Sequence, residues 1–328
     1  MDDERAGGRG TVVITARNVR LDGRAAPLLR QRGWHVVEAQ PAQPPSLTPD
    51  EAWDVVALVV GSDVVDQSTI APYPNLACIV RSGAGTDNVR LPAGSGHVAV
   101  TGLPGLNAQS VADYTFGLML AASRRIAEAD RLVRRGEWSP LTGADLYRRT
   151  LGVLGFGAVG RAVAARARGF EMPVLAYDPM APATDAGVRT ATLREVLAEA
   201  DVVTLHVPLT PETRRMIGAP ELALMKPTAL LVNAARGGLV DEGSLIDALR
   251  RRVIAGAALD VFDDEPGLRP EWRELDNVVL SPHTASFGTT TMDRLAPEVA
   301  DAVERLLAGR SARGDGDLVP PPSHGRSS

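Results

Sequence analysis

Three side chains with chemistry to offer stand just past three apolar runs: Arg236 after Ala229–Val232, Glu265 after Ile254–Asp260 and His283 after Val278–Leu280. A guanidinium presents fixed donors that can grip a carboxylate and polarise an adjacent carbonyl. An imidazole exchanges a proton near neutral pH, and a carboxylate beside it favours the charged form. Each has a plain alternative. Arg236 could be a surface residue in a glycine turn, Glu265 one member of the acidic run Asp263–Glu265, and His283 a loop histidine after Pro282. Ligands of parallel α/β sheets gather beyond the carboxyl ends of the strands. Three such groups on one rim therefore point to a single site.

A second feature lies upstream. The apolar run Leu151–Leu154 breaks into Gly155, Gly157 and Gly160, spaced G-x-G-x-x-G, and continues as an alanine-rich, helix-favouring segment. In a strand–turn–helix unit the first glycine allows the tight turn, the second lets backbone N–H groups approach a pyrophosphate, and the third lets helix pack on strand. The anion then sits at the helix N-terminus. The next apolar run, Pro173–Asp178, ends in an acid roughly 20 residues on, where a ribose-binding carboxylate belongs. Asp178 would accept from a free 2′-hydroxyl and repel a 2′-phosphate, which favours NAD over NADP. Beside a nicotinamide the rim residues suit hydride transfer between NADH and a 2-keto acid. Arg236 would orient the acid, His283 would protonate the developing alkoxide, and Glu265 would hold His283 in place and charged. Reading the glycine loop as an S-adenosylmethionine site of a methyltransferase leaves those three residues unexplained.

The elements that position them follow from the pattern along the chain. Thr11–Thr15, Trp34–Glu38, Val55–Val60, Leu76–Val80 and Val98–Thr101 are short, nearly continuous apolar strands. Helix-capable or loop segments such as Asp22–Arg32 and Pro41–Pro49 separate them. This alternation predicts a parallel sheet covered on both faces. The first half carries no glycine fingerprint and is a candidate for holding the other substrate. Ser110 opens a long helical pattern running to about Arg135, ended by Gly136–Pro140 with Trp138; a subunit interface and an intradomain helix are equally compatible with it. Beyond the glycine unit, Thr192 and Glu195 have capping-box spacing. Val202–Val207, Ala229–Val232, Ile254–Asp260 and Val278–Leu280 are strands, while Pro220–Met225 and Glu242–Arg251 are helices. Thr290–Leu307 is a final helix, placed to pack back on the first domain. Residues 1–10 and those from Gly309 onward lack core-forming content.

Bulk properties narrow the classes. The chain has 328 residues, 45% apolar and 23% charged, enough for a sizeable core and two domains. A net charge of −5 argues against nucleic acid or an anionic membrane as the main partner. The single cysteine, Cys78, excludes an intrachain disulfide and lies in the apolar run Leu76–Val80, a core position. No apolar stretch approaches membrane-spanning length, and the charged start Met1–Arg5 has no signal-type apolar region. A soluble, cytoplasmic protein with no metal site is expected.

The sequence resembles the D-isomer-specific 2-hydroxyacid dehydrogenases, particularly their phosphoglycerate-dehydrogenase-like branch, from about Val55 to Leu307. The resemblance rests on Gly83–Asn88, Leu151–Gly160, Leu205–Thr213, Val232–Gly237, Ala258–Phe262 with Glu265-Pro266, and Ser281–His283. It implies an α/β fold of two doubly wound, Rossmann-like parallel-sheet domains with a cleft that closes over substrate. Residues 1–102 plus 287–312 would form a flavodoxin-like substrate-binding domain, and residues 103–286 the NAD-binding domain with a dimerisation helix and arm. Residues 313–328 would be a disordered tail. The resemblance assigns Arg236, Glu265 and His283 to catalysis. It assigns Ser62, Gly83, Ala84, Gly85 and Asn107, with Arg236 and His283, to substrate. To the NAD cofactor it assigns Gly155, Gly157, Ala158, Val159, Gly160, Asp178, His206, Val207, Ala234, Ala235, Asp260 and Ser286. A homodimer acting on a small 2-keto or 2-hydroxy acid is implied.

Some positions depart from the family pattern. Ala158 replaces a basic or polar residue common after the second glycine, removing one pyrophosphate contact. Gly61, followed by Ser62, stands where phosphoglycerate dehydrogenases carry a phosphate-binding arginine, which points to another acid. Glu265 is glutamine in the related formate dehydrogenases and argues against that branch. Two alternatives share the motifs: a phosphite dehydrogenase, and a non-catalytic NAD(H)-sensing protein like the C-terminal-binding corepressors.

Overall fold

The computed structural model describes residues 9–40, 45–180 and 185–311. Two compact units are present, Met1–Leu106 with Thr289–Ser328, and Asn107–Gly288. Their boundaries fall a few residues beyond the expected ones at 102 and 286. Leu103 and Leu106 explain the first of these, since both side chains are buried in the core of the first unit. The tail expected at 313–328, like most of the polar N-terminus, lies outside the described residues.

In the first unit, β1 (Thr11–Ile14), β2 (His35–Glu38), β3 (Val55–Val60), β4 (Cys78–Arg81) and β5 (Ala99–Thr101) form one parallel sheet in the order β2-β1-β3-β4-β5. This is the flavodoxin-like order. Helices α1 (Arg17–Asp22) and α2 (Ala25–Gln31) cover one face together with the C-terminal helix Thr289–Ser311, burying Leu29, Leu295, Val299 and Val303 against the strands. The helix-capable stretch expected at 22–32 corresponds to α2, while α1 precedes it and ends at Gly23, whose φ of 71° gives a left-handed cap. The other face packs Val65, Tyr73, Leu76 and Ile79 between the sheet and the short helices α3 (Pro49–Trp53) and α4 (Gln67–Ile70). Cys78 is fully buried in β4.

The second unit opens with α5 (Ala108–Ser123) and α6 (Ile126–Arg134), where the pattern predicted one long helix. The helix breaks because Arg125 takes a left-handed φ of 55°. Burial changes at the same point: α5 buries Val111, Ala112, Phe116 and Met119, whereas α6 buries no residue. Then follow β6 (Leu151–Leu154), α7 (Ala158–Ala167), β7 (Val174–Tyr177), β8 (Val188–Thr190), α8 (Leu193–Glu199), β9 (Val202–Leu205), α9 (Ala219–Leu222), β10 (Leu230–Asn233), α10 (Glu242–Arg250), β11 (Gly256–Leu259) and β12 (Val278–Leu280). Helix α8 starts on the anticipated capping box of Thr192 and Glu195. Edge strand β8 escaped the sequence reading because its Val-Arg-Thr is mostly exposed and forms no apolar run.

These strands make a seven-stranded parallel sheet in the order β12-β11-β10-β9-β6-β7-β8. Helices α5 and α7 pack on one face, and α8, α9 and α10 with Trp272 on the other. The chain runs outward from β6 through β7 and β8, then returns to β9 on the opposite side. The carboxyl ends of β6 and β9 therefore form a topological switch point, the place where α/β sheets bind ligands. Among the described residues, no helix is long and apolar enough to cross a membrane.

Candidate active site

At the end of β6, Gly155 has φ of 97°, and a Cβ there would meet the His206 carbonyl carbon at 2.5 Å. Only glycine suits both conditions. A Cβ on Gly160 would strike the Gly155 carbonyl oxygen, so this glycine sets how closely α7 approaches the turn. Gly157 has open space on the side where a Cβ would point. No side chain caps α7 at Gly157, and Gly157 and Ala158 are exposed. Open space, the first N–H groups of a helix, which have no intrahelical partner, and the helix dipole fit a pyrophosphate. At the end of β7, Asp178 accepts from the Phe156 amide at 2.7 Å through one carboxylate oxygen and from the Met180 amide at 2.8 Å through the other. The acid is thereby fixed against the glycine turn. The residues present fit a dinucleotide.

Further along the rim, β9 delivers His206 and Val207. Burial pushes the His206 imidazole down to about 3, so the ring is neutral near pH 7, and its Nε2 pairs with Thr204 Oγ1 at 3.0 Å. Asn233, the last residue of β10, closes the turn that carries Ala234, Ala235 and Arg236. Its Oδ1 accepts from the Ala235 amide at 3.0 Å and its Nδ2 donates to the Arg236 carbonyl at 2.8 Å. The half-buried Arg236 donates to the Ala235 carbonyl at 2.7 Å.

Beyond β11 and β12 come the acid and the imidazole. His283 Nδ1 lies 2.6 Å from Glu265 Oε2, both side chains 28% exposed, and the Phe262 amide donates to Glu265 Oε1 at 2.9 Å. Burial pushes the Glu265 carboxyl up, but the His283 hydrogen bond and charge, the Phe262 amide and the charge of Arg236 together hold it below its ordinary value. The charge of Arg236 thus reaches this carboxylate, as the smallest of these influences. With Nδ1 occupied by the carboxylate, Nε2 is the nitrogen left to exchange a proton.

The loop of His283 is pinned by Asp260. This carboxylate, which the resemblance assigns to the cofactor, is fully buried and engaged within the protein. Its Oδ1 accepts from Ser281 Oγ at 2.5 Å and the Thr284 amide at 3.0 Å, its Oδ2 from the Ala285 amide at 2.8 Å. The His283 amide donates to the Asp260 carbonyl at 2.8 Å. Together these bonds hold His283 at a φ of 51°, a conformation costly for a side chain with a Cβ. Ser286 follows half-buried on the same loop.

In the first unit, Ser62 lies exposed past β3, and Gly83, Ala84 and Gly85 follow β4. The guanidinium of Arg81 occupies the space that a Cβ on Gly83 would take. Asn107 begins the second unit as the residue before α5, without a capping hydrogen bond from its side chain. Sequence reasoning missed Asn233 and Thr204 as site-shaping residues. Asn233 did carry a signal, a polar residue ending an apolar strand just before two alanines. Among the described residues, no cluster of histidine, cysteine and carboxylates could hold a metal ion.

The chain is similar to known proteins of one family. Residues 116–285 match the family model described as D-isomer specific 2-hydroxyacid dehydrogenase, NAD binding domain. The chain is 42% identical over 259 residues to a glyoxylate reductase of Korarchaeum cryptofilum, covering 75% of this chain and 77% of that one. It is 40% identical over 267 residues to a D-3-phosphoglycerate dehydrogenase of Methanocaldococcus jannaschii, covering 79% of this chain but about half, 51%, of that relative. The crystal structure of D-lactate dehydrogenase from Aquifex aeolicus, complexed with NAD and lactic acid, superposes with a TM-score of 0.78 at 26% identity, covering 95% of this chain and 100% of that one. The glycine turn with its fixed acid, and the arginine, glutamate and histidine on the same rim, thus stand in a chain that belongs to the D-isomer-specific 2-hydroxyacid dehydrogenases, NAD-dependent oxidoreductases whose NAD-binding domain is the second unit here.

Proposed function

We propose that this enzyme interconverts a small 2-keto acid and its D-2-hydroxy acid, with Arg236 binding substrate and the His283–Glu265 pair exchanging the proton. The 2.6 Å contact between His283 and Glu265, with Arg236 acting on the same carboxylate, carries the reading. When bound, NADH supplies the hydride. The protein supplies the rest. Arg236 grips the substrate carboxylate and draws electron density from the keto oxygen. His283 donates from Nε2 as charge builds on that oxygen, while Glu265 keeps Nδ1 protonated and the ring oriented. Gly157, Ala158 and Val159 offer N–H groups to the pyrophosphate, and Asp178 accepts from the adenosine ribose, favouring NAD over NADP.

A homodimer built on α5, α6 and the following segment belongs to this reading. Ile126, Val133, Trp138 and Tyr147 are all more than half exposed there, Trp138 at 87%. Large apolar side chains concentrated in one surface segment suit a partner. The catalytic reading is tested with Arg236→Ala, assayed against a panel of 2-keto acids by NADH absorbance. Turnover falls by about 10²-fold or more while NADH still binds. Turnover surviving that change refutes the site. Glyoxylate and the keto acids of lactate and phosphoglycerate belong in the panel, with phosphite tested in the oxidative direction.

A further inference from the structure

Glu242, in the first turn of α10, is a charged residue that α10 does not need for its own cap. Asp241 already caps the helix, accepting from the Ser244 amide at 2.8 Å. Glu242 instead turns inward and is only 7% exposed. Its Oε1 accepts from the Asp263 amide at 2.7 Å and its Oε2 from Trp272 Nε1 at 3.2 Å. Trp272 is 1% exposed and meets Phe262 edge to face at 6.3 Å between ring centroids. Burying a carboxylate is a poor way to stabilise a core, because desolvation offsets most of the gain. What this carboxylate achieves is geometric.

The Phe262–Glu265 turn is held at two successive amides. Phe262 donates to the Glu265 side chain and Asp263 donates to Glu242. Gly237, next to Arg236, has no Cβ where the Phe262–Asp263 peptide lies, and a Cβ there would overlap it. The turn that aims Glu265 is therefore pressed against the turn that carries Arg236 and tethered from behind by Glu242.

We infer that Glu242 is a positioning residue for the reaction: its carboxylate, bridging Trp272 and the Asp263 amide, fixes the turn that presents Glu265 to His283. The inference rests on the catalytic reading above, and its test has an arm that does not need turnover. Glu242→Gln leaves one carbonyl oxygen for two donors and turns an NH₂ toward one of them, so the tether loosens. Trp272→Phe keeps the ring and removes one donor, the milder change.

Three measurements follow on wild type and both variants. The first is the low-field proton resonance of His283 Nδ1, assigned by its loss in His283→Asn. The second is kcat and KM for the keto acid that wild type reduces best. The third is NADH affinity, with thermal melting as a control for folding. In Glu242→Gln the resonance broadens or vanishes, and kcat falls about 10-fold with KM changed less than about threefold. NADH affinity stays within about twofold, and Trp272→Phe moves the same way by less. An unchanged resonance and kcat in both variants overturns the inference. So does a resonance missing from wild type, or a kcat loss that merely tracks the fraction unfolded. Should Glu242→Gln fail to fold, Trp272→Phe decides by the same criteria. Should wild type turn over no 2-keto acid, the catalytic reading fails while the resonance still judges the tether.

Discussion

Glu265→Gln separates the charge of the carboxylate from its shape. In the wild type, Glu265 takes one proton donor on each oxygen, His283 Nδ1 at 2.6 Å and the Phe262 amide at 2.9 Å. Glutamine fills the same volume, but only one of its two terminal atoms accepts, so at least one of these bonds is lost. A hydrogen bond to a charged group contributes about 1.5–3 kcal/mol and a neutral one about 0.5–1.5 kcal/mol. The contact with His283 thus loses about 1–1.5 kcal/mol, some of the full charge being screened because both side chains are 28% exposed. About 1.4 kcal/mol is tenfold in rate. kcat/KM for keto-acid reduction, from initial rates by NADH absorbance at one pH, therefore falls about 10-fold in Glu265→Gln while NADH affinity is unchanged. A variant that keeps the wild-type rate refutes the charge argument. So does one that loses rate only in proportion to the fraction unfolded.

The same pair shapes acid stability. Glu265 is held below its ordinary 4.5 in the folded protein, so its contribution is complete above that value and is lost as pH falls through the lowered one. Urea unfolding at stepped pH should show wild type losing stability over this window, with a shallower loss in Glu265→Gln; equal slopes would contradict the shift. Asp178→Ser removes both the carboxylate that would face a 2′-phosphate on the proposed reading and the acceptor for the Phe156 amide. NADH binding weakens by about 10-fold and the NAD-over-NADP preference in kcat/KM shrinks by at least as much, and an undiminished preference would remove Asp178 from the ribose site. Gly160→Ala places a methyl group against the Gly155 carbonyl oxygen. It destabilises the protein by about 1–3 kcal/mol in urea titration, and a neutral result would mean that α7 is not packed as described.

What could be read in advance, and what could not, divides by the range of the interaction. The glycine turn, Asp178 and the order of strands and helices are local: each depends on residues within one strand–turn–helix unit, where spacing and residue type suffice. Arg236, Glu265 and His283 were legible for a related reason, since each follows its own strand and a parallel sheet brings all such ends to one rim. The break at Arg125 was hidden because the apolar spacing continues up to it, and only the change in burial beyond α5 distinguishes the two helices. Asp260 was visible as a strand-end acid, but nothing in its neighbours revealed that its oxygens would be claimed by residues 21 to 25 positions later.

The same division explains how the site is built. Side chains that would meet cofactor or substrate stand at strand ends, while those that aim them reach across from other turns. Asp260 holds the His283 loop, and Glu242 holds the Glu265 turn from 21 positions earlier in the chain. Asn233 does so within its own turn, fixing the backbone of Arg236. A buried carboxylate costs desolvation, so its donors must stay in register or the cost is uncompensated. Asp260 and Glu242 therefore tie the positions of His283 and Glu265 to the stability of the second unit. Displacing either turn strips a buried charge of a partner, and that penalty is larger than the bond itself. The precision of the 2.6 Å contact thus arises from groups that need never touch the reacting atoms.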